Sequence, residues 1–468
     1  MINTFANFMI NEIFTKYNFN INLKKILHLM IKGYFMDFLN QIKLQIERGK
    51  LNDSSIMLDT LLKSNTSNPL VFNLSGILDI RLKRFNEAIN KFKKAIDLDG
   101  EYAEAYFNLG NLSHNLGKLN EAENFLINAI KYKRNYVRAI YVLGDNYYLQ
   151  DKIELAIKSY LNVLDIQPDN NDAFVKVLDL LTFYKNDIKI DDDIINVNYA
   201  IEKINHKIDL HNKIHDDQIK IIYKDILSIL SSKLIKHQSI SSQTLKKNKI
   251  DLNCGRHHAI FNKNHIIPEY CFSCFKIQID TKNVIDLIKL YFVFNNLELE
   301  NNNFRKCFIE TRKMITGTYK GLIYCSDLDE VDKVINRLTP ILKKTIDKNI
   351  IINKKRGCSE FGNKFKEYKT LNVEKLMSYD NDWKKYENNF DSNQTVKYKL
   401  EKGIFYSSKK VLNLQDSLTI LNWLRYAKKI GDLSYLHLID IELPPSYPLD
   451  LQLSLQIDYR INQFRKNS

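Results

Sequence analysis

Glycine and proline are scarce in this chain, whose 468 residues include 14 glycines and 7 prolines. The sequence shows no glycine-rich phosphate-binding loop, no dinucleotide-binding fingerprint and no hydrolytic triad, so the common motifs of nucleotide-binding and nucleophilic enzymes are missing. Apolar runs are too short to cross a bilayer, and the first residues lack a charged region and a small-residue cleavage site. We therefore expect a cytoplasmic protein that does not bind a membrane.

Positive charge exceeds negative charge by 14 at neutral pH. The excess is spread along a chain that is also crowded with Asn and Ile, and it forms no basic run. A diffuse excess of this kind indicates a solvated surface more than a nucleic-acid footprint. We expect nucleic acid not to be the main ligand, and the length predicts two or three domains of ordinary globular composition.

A period of 34 residues runs through the first third of the chain. Three glycines recur at this period and each is followed twelve residues later by an alanine: Gly76 and Ala88, Gly110 and Ala122, Gly144 and Ala156. Large residues follow at the same offset in each copy, namely Phe92, Leu126 and Tyr160. The pattern resembles the tetratricopeptide repeat over residues 35–184, with a degenerate first repeat at 35–68 and an incomplete last one from 171. Residues 1–34 are expected to form a helical lead-in.

The resemblance implies an α-solenoid of helical hairpins whose first helices line a concave groove. Carried over by position, the groove residues are Asn73, Phe107, Asn111, Arg138, Tyr141, Asp145 and Tyr148. This mixed aromatic and polar lining suits a protein or peptide partner. The alternative is that the repeats only hold the C-terminal half in place.

Cysteine and histidine are concentrated between residues 254 and 274. Cys254-x2-His257 and Cys271-x2-Cys274 have the paired spacing that offers four ligands to a tetrahedral zinc ion. Cys307, Cys325 and Cys358 are candidate additional ligands. An iron-sulfur cluster, a thiol active site and buried cysteines without a ligand role remain as alternatives.

Alternating and helical patterns succeed one another between residues 275 and 355, in the order βαββαβ. This order predicts a ferredoxin-like antiparallel sheet with both helices on one face, and its topology would gather all six cysteines at one end, near Arg256, Arg305, Lys306 and Arg356. Such cations would stabilise thiolates. We predict a helical region at 185–248, a Cys/His-rich α+β domain at 249–375 and a helical tail at 376–468, with Trp423 as a core residue.

Five blocks of the C-terminal half resemble an uncharacterised Cys-rich domain that is attached to repeat arrays in bacterial proteins: CGRHHAIF, IIPEYCFSCFK, NFRKC, GTYKGLIYC and KRGCSEF. The resemblance implies that the two halves work together and implies no activity. The sequence therefore favours an interaction scaffold with a zinc-stabilised C-terminal domain. The alternatives are an enzyme that uses the Cys/His/Arg cluster on a peptide or protein held by the repeats, and RNA binding by the sheet.

Overall fold

The computed structural model describes residues 21–63, 67–184, 188–204, 208–230, 242–246, 252–312, 315–392, 412–439 and 456–467. The chain separates into two compact units, an N-terminal unit of residues 1–159 and a C-terminal unit of residues 160–468. This division lies inside a helix, whereas the sequence pattern placed the end of the repeats at residue 184. Each unit is described by itself.

Helices joined by short turns make up the described part of the N-terminal unit. They are α1 (Ile21–Glu47), α2 (Leu51–Lys63), α3 (Pro69–Arg81), α4 (Phe85–Leu98), α5 (Ala103–Asn115), α6 (Leu119–Tyr132) and α7 (Val137–Leu149), and α8 (Ile153–Ile166) begins in this unit. Helix α1 runs without a break through residue 34, so the described part of the predicted lead-in and the first helix of the degenerate repeat are one helix. Residues 1–20 of the predicted lead-in lie outside the described residues.

The small residues of the 34-residue period lie where the two helices of a hairpin cross. A Cβ atom on Gly76 would lie 2.6 Å from Cε1 of Phe92, and a Cβ atom on Gly110 would lie 2.9 Å from Cγ of Leu126. Ala88 on α4 is fully buried. The helices approach closely because these positions carry little or no side chain, which is the relationship that the repeat predicts.

The C-terminal unit combines helices with one sheet. Its described elements after α8 are α9 (Asn171–Phe183), α10 (Asp193–Glu202), α11 (Asp216–Ile229), β1 (Gln243–Lys246), α12 (Cys254–Asn264), β2 (Phe275–Thr281), α13 (Val284–Asn296), β3 (Arg305–Ile309), β4 (Tyr319–Cys325), α14 (Leu328–Thr345), β5 (Ile351–Arg356), α15 (Lys384–Ser392), α16 (Leu414–Ile430) and α17 (Ile457–Asn467). Short 3₁₀ turns lie between them, among them Glu269–Ser273 before β2 and Ser359–Asn363 after β5.

The sheet has the strand order β1-β3-β4-β2-β5, and every neighbouring pair is antiparallel. Strands β2 to β5 with α13 and α14 form the predicted βαββαβ arrangement, which confirms the ferredoxin-like fold. Strand β1 pairs with β3 as a further edge strand that the sequence pattern did not predict. Gly321 on β4 faces the helices, since a Cβ atom there would lie 2.5 Å from Cδ2 of Leu290 on α13.

Helix α16, in the region predicted as a helical tail, lies in the core of the C-terminal unit. Trp423 is fully buried, as expected, and its indole nitrogen donates a hydrogen bond of 2.9 Å to the carbonyl oxygen of Ser242. Tyr223 on α11 donates to the carbonyl oxygen of Ser417 at 3.0 Å. The ring of Tyr426 meets that of Tyr319 on β4 edge to face. Helices α11 and α16 thus belong to the same core as the sheet.

None of the described helices has both the length and the apolar composition that crossing a bilayer requires.

Candidate functional site

The predicted groove residues of the N-terminal unit divide into a packed group and a more accessible group. Asn73 is buried and accepts a hydrogen bond of 2.8 Å from the side chain of Asn108 on the next hairpin. Phe107 is 3% exposed, and its ring centroid lies 5.0 Å from that of Tyr136. These two predicted ligand-binding side chains therefore make contacts between neighbouring hairpins.

The accessible group forms a stripe along α7. Arg138, Tyr141, Asp145 and Tyr148 follow one another at three- and four-residue spacing, which places them on one face of the helix. Arg138 is exposed, with its guanidinium carbon 4.9 Å from the ring centroid of Phe107, and the other three are half-buried. Asn111 on α5 is half-buried as well. We refer to the four residues on α7 as the α7 stripe.

Four of the six cysteines come together in the C-terminal unit, from three separate segments. The side chain of Cys358, which follows β5, is within hydrogen-bonding distance of Cys254 at the start of α12 and of Cys271 in the turn before β2. Cys274 lies close enough to Cys254 for the two thiols to influence one another. We call Cys254, Cys271, Cys274 and Cys358 the thiol cluster.

His257, which the spacing predicted as a ligand, is buried, and its ring stacks on Tyr270 with 5.4 Å between the ring centroids. His258 has Nε2 4.0 Å from Sγ of Cys358 and 3.4 Å from a carboxylate oxygen of Glu360. The ligand role of His257 stays a prediction, and the structure adds Cys358 and His258 as candidates.

Cys307 and Cys325 lie on neighbouring strands of the sheet, and Cys325 is close enough to Cys274 for the two thiols to influence one another. Cys307 is buried on β3, opposite Gly321 of β4. Cys325 ends β4 and lies 3.9 Å from the side-chain nitrogen of Asn303. In the described part of the chain, no three His, Cys, Asp or Glu side chains are already arranged around a point that a metal ion would occupy.

The thiols of Cys274 and Cys358 are held in their protonated form. Burial, and to a smaller extent the neighbouring Cys254, raises the pKa of Cys274 to about 12. Contact with Cys254 lowers the pKa of Cys358, but contact with Cys271 and burial outweigh that effect, and the pKa of Cys358 is raised. Because the thiolate is the nucleophile, this environment disfavours the thiol active site considered from the sequence.

The arginines expected beside the thiols have other partners. Arg256 binds Asp391 and Glu387 on α15 at 2.8 and 3.0 Å, which ties α12 to α15. Arg305 is fully buried and donates to two backbone carbonyl oxygens at the end of α13. Arg256 and Arg305 thereby hold the domain together. Arg305 also favours the thiolate of Cys307 and Arg356 that of Cys274, but burial outweighs both effects on the pKa of these thiols.

A cavity of about 950 Å³ covers the face of the sheet opposite α13 and α14. Four strand residues point their ammonium groups into it: Lys276, Lys306, Lys320 and Lys355. Burial lowers the pKa of Lys306 and of Lys320. Sequence reasoning missed this site because it treated the charge as diffuse. The sequence does show a lysine in each of the strands β2, β3, β4 and β5, at positions whose side chains leave the same face of the sheet.

Comparison with known proteins bears on the helical part of the chain. Residues 80–117 match the family described as TPR repeat, and residues 103–136 and 137–170 each match the tetratricopeptide repeat. Residues 80–170 are tetratricopeptide repeats.

A relative and several solved structures resemble part of the chain. Protein O-mannosyl-transferase Tmtc3 of Drosophila melanogaster is 30% identical over 112 residues, which are 24% of this chain and 12% of that protein's length. A crystal structure of MamA is 24% identical, covers 30% of this chain and 81% of its own, and has a TM-score of 0.28. The first TPR of Spaghetti (RPAP3), bound to an HSP90 peptide, is 26% identical, covers 24% of this chain and 90% of its own, and has a TM-score of 0.24.

The tetratricopeptide repeats include α4 to α8, and the α7 stripe lies in the last matched copy. The first helix of a copy lines the concave side in the arrangement that the family implies. Helix α7 is the first helix of the copy at 137–170, which accounts for the position of the stripe.

Proposed function

We propose that this protein is an interaction scaffold whose tetratricopeptide repeats bind an extended segment of a protein partner. The observation that carries the proposal is the α7 stripe on the first helix of the last matched repeat. Stacked hairpins of this kind support protein-interaction scaffolds, because each adds a strip of side chains to one continuous concave surface.

The chemistry of the stripe supports a peptide ligand. Its two tyrosines offer ring faces and hydroxyl groups, while Arg138 and Asp145 offer charges of both signs. From Arg138 to Tyr148 the stripe is roughly 15 Å long at the rise of an α-helix. This length matches about four or five residues of extended chain. The segment that binds is therefore expected to be short, to carry both charged and apolar side chains and to lie along α7.

A peptide-display selection against the full-length protein, followed by calorimetry, tests this proposal. We expect a selected peptide to bind in the micromolar range, and the double variant Tyr141→Ala with Tyr148→Ala to weaken binding at least tenfold. Ile127→Ala is the matched control, because Ile127 is an exposed apolar residue on α6, the second helix of its hairpin. It should bind as the wild type does.

Circular dichroism of each variant separates lost binding from lost structure. Equal affinity of the double variant and the wild type, with unchanged helicity in both, would contradict the role of the α7 stripe. Loss of helicity in the double variant is resolved by the single variant Arg138→Glu, which reverses the charge of an exposed side chain and gives up only its contact with the ring of Phe107. This variant should still lose affinity if the stripe binds the peptide.

We further propose that the thiol cluster binds a zinc ion that stabilises the sheet domain. Three thiols within reach of one another and a fourth beside them are the ligand set that zinc prefers. Because the described side chains are not already arranged around one point, binding requires rotation of the cysteine side chains between staggered rotamers. The protons that burial keeps on the thiols would be released on binding.

A further inference from the structure

The cavity on the open face of the sheet is far more positive than negative. Eight of its lining residues are lysine or arginine, and two, Glu310 and Glu360, are acidic. Glu310 is already engaged, since it binds Arg312 at 2.8 Å and Lys320 at 3.2 Å. The charge of the other cations is left without a comparable carboxylate among the described lining residues.

Three of the cavity lysines make hydrogen bonds with neutral partners. Lys276 donates to the carbonyl oxygen of Gly357 at 2.8 Å, and Lys355 donates to the side chain of Gln278 at 2.9 Å. Lys306 donates to the side chain of Gln243 at 3.4 Å. Among the described residues no carboxylate lies within ion-pair distance of these three ammonium groups.

Lys276 and Lys355 lie on adjacent strands and repel one another. Lys276 on β2 pairs in register with Lys355 on β5, so their side chains leave the same face of the sheet side by side. Lys306 on β3 also feels the charge of Lys276 and of Arg312. Like charges that are partly removed from water are unfavourable unless an opposite charge joins them. A bound anion would supply that opposite charge.

We propose that this cavity binds a small organic anion that carries at least two phosphate or carboxylate groups. Two groups are needed because the cations lie on separate strands: Lys276 and Lys355 on one side, Lys306 across the sheet. Phe308 and Tyr324 flank Lys306, with ring centroids 5.2 and 6.0 Å from its ammonium nitrogen. An apolar or planar part of the ligand would lie against these rings.

The walls of the cavity favour a small molecule over a nucleic-acid strand. Cys254 and His258 of α12 line it together with Glu360, and residues 311, 312, 315 and 316 line it as well. A cavity of about 950 Å³ has the size of a small-molecule site. The inference does not depend on peptide binding by the repeats or on zinc.

Calorimetry of the full-length protein with ATP, inorganic pyrophosphate and citrate tests the proposal. We expect one-to-one saturable binding of at least one of them, and the comparison between pyrophosphate and citrate tells phosphate from carboxylate recognition. Lys306→Gln and Lys355→Gln should each weaken that binding about tenfold. Lys333→Gln is the matched control, because it removes the same charge from an exposed position on α14 outside the cavity.

A labelling experiment on the wild type tests the proposal even where the variants do not fold. In the wild type, pyrophosphate or ATP should protect Lys306 and Lys355 from acetylation, as read by mass spectrometry, and leave Lys333 unprotected. Binding of none of the three anions below millimolar concentration would overturn the proposal, as would equal weakening by Lys333→Gln. Single-stranded RNA that binds more tightly with length, and that pyrophosphate does not displace, would show a nucleic-acid surface instead.

Discussion

The backbone nitrogen of Gly357 donates a hydrogen bond of 2.8 Å to the carbonyl oxygen of Cys274. This contact continues the pairing of β5 with β2 by one residue and brings the end of β5 against the thiol cluster. A Cβ atom on Gly357 would lie 2.4 Å from Sγ of Cys274 and 3.1 Å from its carbonyl oxygen. The close approach therefore depends on the absence of a side chain at position 357.

Gly357→Ala should destabilise the C-terminal unit. The added methyl group meets a buried thiol and a backbone oxygen, and overpacking of this kind costs roughly 1–3 kcal/mol of unfolding free energy. Gly255→Ala is the control, since a Cβ atom there has nothing within 4 Å. Chemical denaturation followed by tryptophan fluorescence measures both, because Trp423 is buried in this unit. Equal free energies of unfolding for the two variants would show that the residues around position 357 shift to admit a methyl group at little cost.

Gly110→Ala should destabilise the repeats, although alanine is the better helix former. The added methyl group would clash with Leu126, which lowers the free energy of unfolding by roughly 1–3 kcal/mol. The better helix propensity of alanine offsets about 1 kcal/mol of this loss. Gly33→Ala on α1 offers the opposite case, with nothing within 4 Å, and should stabilise its helix. Thermal denaturation followed at 222 nm compares them. A higher melting temperature for Gly110→Ala than for the wild type would contradict the close crossing.

Much of the architecture could be predicted because its signals are local. The glycine and alanine positions of the repeat and the alternation in β2, β3 and β4 are readable within one element. The burial of α16 depends on long-range packing that the sequence pattern does not show. Leu418, Ile420, Leu421 and Leu424 lie on one side of that helix, as in an amphipathic surface helix, but its opposite side carries Asp416, Thr419 and Asn422, which are buried too.

The candidate sites were harder to predict than the fold. Spacing alone grouped His257 with Cys254, but it does not show which neighbour a ring will meet, and His257 packs on Tyr270. Cys358 reaches Cys254 only because β5 returns beside β2. The cationic cavity likewise needs four strands in register before its lysines become neighbours.

Asp416 should make stability depend on pH. Burial raises its pKa to about 7, against the lowering effect of hydrogen bonds from Tyr291 and Asn413. The folded protein then holds a proton that the unfolded chain releases above about pH 4, so the free energy of unfolding falls as pH rises from about 4 to 7. Asp416→Asn should flatten this part of the profile, by an amount on the order of a few kcal/mol. Urea denaturation at pH 5 and pH 8 measures how much the free energy of unfolding changes with pH in the wild type and in Asp416→Asn. An equal change in the two proteins would contradict the prediction.

Zinc content should depend on Cys358 and not on His257. The wild type is expected to carry close to one zinc ion per chain, and Cys358→Ser should lose it because a hydroxyl group is a poor replacement for a thiolate ligand. His257→Gln should keep the ion if the four cysteines are the ligands, since the ring of His257 is engaged in stacking on Tyr270. Elemental analysis of the three proteins, with cobalt substitution to report sulfur ligands by absorption, makes the comparison.

The zinc content of Cys358→Ser and of His257→Gln tells the two possible ligand sets apart. Loss of zinc in His257→Gln with retention in Cys358→Ser would restore the set that spacing alone predicts and would contradict the one inferred from the thiol cluster. A brown protein that absorbs near 400 nm would show an iron-sulfur cluster instead, for which thiolates are the usual ligands. A metal-free protein, equally stable with and without a strong chelator, would leave the four cysteines as buried thiols, because a structural zinc site contributes its binding free energy to folding.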